Sequence, residues 1–118
     1  GVLNAGTGIT QDQLSTISAA GVTVSTSSGS ASLLGDNNDL KVLNLTGAAD
    51  IVNNGSALVL ASVSSFNKSV SITNNAGVLT LPAGPINLGA GDLALTGVLL
   101  ATLPQRGREK PARAASPR

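Results

Sequence analysis

The sequence predicts a mainly β fold in one domain: a β-solenoid of stacked short strands, with a short helix covering its N-terminal end. Three observations predict it. Apolar residues alternate with polar ones over most of the chain, which is the pleat of a half-buried strand. A phrase returns at fixed spacing: Ile51-Val-Asn-Asn-Gly-Ser-Ala-Leu-Val-Leu60 aligns with Ile72-Thr-Asn-Asn-Ala-Gly-Val-Leu-Thr-Leu81 at an offset of 21 residues, with five of ten positions identical. The apolar material is almost wholly aliphatic: 42% of residues are hydrophobic, but Phe66 is the only aromatic. A core of Leu, Val, Ile and Ala suits a narrow interior repeated along an axis, whereas compact globular cores recruit aromatic bulk.

In chain order, the first element expected is a helix at about 10–20. Thr10 offers a cap and Gln13 completes a capping box, with Ile9 and Leu14 placed for a hydrophobic staple. Asp12 sits where the helix dipole favours an acid, Leu14 and Ile17 share a face, and Gly21 offers a left-handed stop. After Gly21 the period becomes two, beginning with Val22-Thr-Val24. Repeat phrases then occupy about 34–97. The first is the looser copy Leu34-Gly-Asp-Asn-Asn-Asp-Leu-Lys-Val-Leu-Asn-Leu45, with extra residues before its strand; Ile86-Asn-Leu88 and Leu93-Ala-Leu95 come last. In each phrase Leu-x-Leu puts both leucines on one sheet face, and Asn or Gly supplies the turn. One phrase cannot bury its own apolar face, so neighbours must stack. Stacking would bring Asn53 and Asn54 beside Asn74 and Asn75, where amides can pair as a structural ladder. The same alternation also fits an antiparallel sandwich or meander of hairpins.

Residues 1–103 form the expected repeat domain, carrying Lys41 and Lys68 against Asp12, Asp36, Asp39, Asp50 and Asp92. Residues 104–118 hold three prolines and five cations against Glu109, a basic tail expected to be disordered. It has no aromatic residue to stack on bases, so no nucleic-acid partner is expected. The apolar run Leu93–Leu103 is shorter than the roughly 18–20 residues of a membrane-spanning helix, so no membrane span is expected. No signal peptide is visible, and the chain fits either one domain or a piece of a longer array.

The chain has no His and no Cys, which removes Ser-His-Asp triads, thiol nucleophiles, disulfides, and metal sites built on those ligands. Ser65-Phe-Asn-Lys68 has Ser-x-x-Lys spacing, but the companion Ser-Asp-Asn and Lys-Thr-Gly motifs are missing. Asp36, Asn38 and Asp39 offer oxygens, yet Leu40 and Lys41 stand where a calcium loop needs Asp/Asn and Gly. Gly6-Thr-Gly8 lacks the rest of a phosphate loop. Asn44, Asn54 and Asn67 head Asn-x-Ser/Thr triplets. No catalytic residue, cofactor or metal is therefore expected. An enzyme on this chain would need a carboxylate base, and Asp36 with Asp39 is the acidic pair closest in sequence.

The Asn-Asn phrases and Pro85-Ile-Asn-Leu-Gly-Ala-Gly-Asp-Leu-Ala-Leu-Thr-Gly97 resemble the repeats of filamentous haemagglutinin-type adhesins and related secreted β-solenoids. The resemblance covers Leu40 to Leu103 and implies a right-handed parallel β-helix on a bacterial surface or outside the cell. It implies a non-catalytic adhesive or structural segment making weak multivalent contacts with like repeats, or with host or matrix glycans and proteins. A second resemblance is to leucine-rich repeats, through Leu40-x-x-Leu43-x-Leu45 and Val70-x-Ile72-x-x-Asn75, although no copy of that frame is complete. It implies a protein-binding module with one concave sheet and helices or loops behind it. Finally, Leu95, Val98, Leu99, Leu100 and Leu103 make residues 93–103 the expected interface, through which the chain self-associates.

Overall fold

A computed structural model of the chain describes residues 1–101. It contains nine strands: β1 (Val2–Ala5), β2 (Ile9–Thr10), β3 (Ser18–Ala19), β4 (Val22–Leu33), β5 (Asp39–Leu40), β6 (Val42–Asn53), β7 (Leu58–Ser64), β8 (Val70–Leu81) and β9 (Leu93–Ala101). Every pairing is parallel. The chain winds as a β-solenoid of about five turns, each strand lying on the strand of the turn before.

The repeated phrase sets the stacking. Ile51 lies under Ile72, Asn53 under Asn74 and Leu58 under Leu79, the 21-residue offset at which the two copies align. The parallel register at 58–59 and 79–80 excludes a hairpin sandwich. A leucine-rich-repeat architecture with helices behind its sheet is not formed either, since the described residues contain no helix.

Inward side chains stack in columns along the axis. One runs Ile9, Ala31, Ala49, Val70, Leu93 through all the turns. Another runs Leu33, Ile51, Ile72, Leu95. The core is Val, Leu, Ile and Ala throughout, with Leu40, Leu43, Ile51, Leu58, Leu60, Ile72 and Leu79 fully buried. Phe66 stays outside, 60% exposed. Each buried leucine contributes about 1.5–3 kcal/mol, and only stacking makes that available to strands this short.

Turn length varies because inward residues need only return to their column. Val2 to Thr23 is 21 residues, and Val42 to Val59 is 17. Corners and one bulge absorb the difference: register shifts fall at the corners Ser25–Ser30 and Thr73–Val78, and Ala61 is an extra residue within β7 opposite Leu43–Asn44. Gly47 makes one corner with φ 95°, and a Cβ there would lie 2.4 Å from Thr26 Oγ1. Only glycine fits both the left-handed backbone and that approach.

The helix expected at 10–20 is absent. The segment instead forms the first turn of the coil, through β2, a turn at Asp12–Ser15 and β3. Its capping signals serve other bonds. The Gln11 N–H donates to Ser32 O, as a stacked strand does, and Gln13 Nε2 donates to Asp36 Oδ1. The staple does not close: Ile9 packs on the core, whereas Leu14 is 85% exposed. A helix of about ten residues is marginal alone, and pairing with the next turn satisfies the same backbone groups. The lower end of the coil therefore carries no capping helix; Leu3, Ile9, Ile17 and Ala19 lie there, only partly covered.

Candidate interaction surfaces

The winding sorts the polar side chains into an interior corner and exterior rows. Inside, Asn38, Asn53 and Asn74 are buried at one corner. Asn53 Oδ1 accepts the Leu40 N–H at 2.6 Å, while its Nδ2 donates to Leu40 O at 3.1 Å and to Asn74 Oδ1 at 3.0 Å. Asn74 Nδ2 donates to the carbonyls of Ala76, Gly77 and Val78. One turn below, Asn38 exchanges two bonds with the Gln11 amide at 2.7 and 2.8 Å, and Asn38 Oδ1 accepts the Ile17 N–H. Three buried amides, Asn38, Asn53 and Asn74, thus supply the bonds that the corner backbone needs and cannot obtain from water. Asn54 and Asn75 form the outer pair: Asn75 Nδ2 donates to Asn54 Oδ1, and Asn54 Nδ2 donates to Asp36 O.

Outside, the pleat lays hydroxyl and amide side chains in straight columns. Val2, Thr23, Asn44 and Ser62 form one, and Asn4, Ser25, Thr46 and Ser64 form its neighbour on the same face. Ser62 Oγ donates to Asn44 Oδ1 at 2.7 Å, so part of the row is internally ordered. The next face carries Thr10, Ser32, Asp50, Ser71 and Ala94. A fourth column differs in character: Val42, Val59, Thr80 and Leu100, flanked by Val78 and Val98. Val59, Val98 and Leu100 are 40%, 59% and 53% exposed.

The leucines assigned to the interface divide by the pleat. Leu95 and Leu99 turn inward and pack on the core from its upper end, only partly covered. Val98 and Leu100 point outward, and Leu103 and the basic tail lie outside the described residues. Sequence reasoning missed Gln11 as a corner amide and the exterior row of Val42 and Val59. For the second, alternation in Lys41-Val-Leu-Asn-Leu45 and Leu58-Val-Leu60 set each valine opposite to its leucine neighbours, but only the register joins Val42 and Val59 in one row.

The residues of the motifs weighed for chemistry make the following contacts. Ser65 Oγ is buried and donates to Gly47 O at 2.6 Å, while Lys68 Nζ donates to Ser27 O. Asp36 and Asp39 have separate partners: Asp36 accepts from Gln13, and Asp39 from Ser56 Oγ at 2.8 Å and Lys41 Nζ at 3.2 Å. The Ser56 hydroxyl, followed by the Lys41 ammonium, holds the Asp39 carboxyl below the usual carboxylate value. Among the acceptor triplets, Asn44 and Asn54 belong to rows, whereas Asn67 sits in a turn at φ 62° with its Oδ1 accepting the Ala90 N–H. Among the described residues no three His, Cys, Asp or Glu side chains gather as a metal cluster, and no helix is long and apolar enough to cross a membrane. Comparison with family models, with curated proteins and with solved structures found no match.

Proposed function

We propose that the chain is a non-catalytic structural and adhesive repeat segment, of the kind found in filamentous haemagglutinin-type adhesins of bacterial surfaces and secretions. The observation that carries this reading is the pair of exterior columns Thr23–Asn44–Ser62 and Ser25–Thr46–Ser64. Strand spacing of about 4.8 Å repeats each hydroxyl or amide along the axis. Such a face offers many similar weak hydrogen bonds and no single deep one. It suits extended polar partners such as matrix glycans or proteins, and copies of the segment itself meeting at β9. Its strength comes from number, since linked weak contacts gain roughly 10²–10⁴ in avidity.

The test displays the full chain on beads at increasing density over glycan-coated and matrix-protein-coated surfaces. Soluble chain should bind with a Kd of roughly millimolar or weaker, whereas bead adhesion should rise much faster than density. Replacing Thr23, Asn44, Thr46 and Ser62 together by Ala should abolish adhesion and leave the circular dichroism spectrum unchanged. Adhesion that scales linearly with density, or that survives the quadruple substitution, contradicts the proposal.

A further inference from the structure

The coil carries its own template for an intermolecular contact. The outward column Thr10, Ser32, Asp50, Ser71, Ala94 and the inward column Ile9, Ala31, Ala49, Val70, Leu93 make the same parallel contact four times in succession. Among the described residues, β1 and β2 pair only with β4 at the lower end, and β9 pairs only with β8 at the upper end. Each end strand therefore turns one set of N–H and C=O groups away from its neighbour, and these sets are complementary between ends. The incompletely covered apolar residues match in the same way. Ile9, below, and Leu93, above and 40% exposed, belong to one column.

We infer that the partner of the β9 edge is the β2 edge of a second copy, stacked head to tail with all strands parallel. The inference rests on the reading of β9 as a self-association surface and adds its partner and polarity. Head-to-tail stacking continues the winding, so a fresh turn meets the last one in register. Top-to-top contact opposes strands antiparallel, so it cannot continue the parallel register that every pair of turns shares. The contact is heterologous and does not close on itself, so it propagates as a fibre of coils.

The chain has no cysteine, which allows a direct test. Thr10 and Ala94 both point outward, both are exposed, and both lie in one column. In the stacked pair their Cα atoms come about 4.8 Å apart, within disulfide reach. Thr10→Cys and Ala94→Cys chains are oxidised separately and as an equal mixture, alongside sedimentation of the unmodified chain over a concentration series. The mixture should give at least tenfold more disulfide dimer than either variant alone, and the double variant should give a ladder of oligomers. Cross-linking of Ala94→Cys alone as readily as the mixture overturns the inference in favour of top-to-top contact. Self-association in sedimentation with no cross-link in any arm overturns it too, by placing the contact elsewhere. A monomer at every concentration removes both the inference and the reading of β9 on which it rests.

Discussion

At the scale of single residues, the coil depends on polar groups placed inside it. Among the described residues, Thr26 Oγ1 is the buried side-chain polar atom that lacks a hydrogen-bond partner. Thr26 is 3% exposed and sits under Gly47 at the corner where the chain leaves one face for the next. Valine has the same shape without the hydroxyl. Thr26→Val should therefore leave stability unchanged or raise it by up to about 1 kcal/mol, read as the urea midpoint. A clear loss would mean that the hydroxyl has a partner in solution. Asn53 is the opposite case. Asn53→Ala would leave the Leu40 N–H, the Leu40 and Ser56 carbonyls and Asn74 Oδ1 without their present partner. At about 1–3 kcal/mol for a buried group left unpaired, the loss should exceed about 3 kcal/mol. Asn54→Ala, one residue along and facing outward, should cost under about 1 kcal/mol. Equal losses would show that inner and outer amides are not distinguished as described.

Elements were legible in the sequence to the extent that they repeat one another. Ile51 and Ile72, or Leu58 and Leu79, share a column because the two phrases place inward residues and corner amides at the same spacing. The first turn was not legible, because it supplies its corner amide from a different position. Gln11 follows Thr10 and so lies opposite Leu33, not at an Asn position, and its longer side chain reaches Asn38 from there. The residues around it also spell a helix start. Local signals worth about 1 kcal/mol each yield to parallel pairing of the whole segment with the turn above. The 17-residue path from Val42 to Val59 was equally hidden. A column constrains where the chain returns and leaves the corner length free.

Among surface positions, the polar rows were visible as alternation, but their grouping by face was not. That grouping depends on which turn lies over which. Thr23, Asn44 and Ser62 are separated by 21 and 18 residues and become one row only through the register. The same holds for Val42, Val59 and Leu100, whose shared outward direction cannot be seen until the coil is wound.

For the molecule as a whole, every proposed property follows from one arrangement: parallel turns stacked in register. It makes the exterior rows, the buried amide corner and the matched ends. Antiparallel hairpins built from the same phrases would scatter all three. The most direct test is nuclear Overhauser spectroscopy of the isotopically labelled chain, reading backbone contacts between residues 51–53 and 72–74. Parallel stacking predicts ascending contacts, Ile51 with Ile72, Val52 with Thr73 and Asn53 with Asn74, and likewise Leu58 with Leu79. Descending contacts, Ile51 with Asn74 and Asn53 with Ile72, would contradict the solenoid and every surface derived from it.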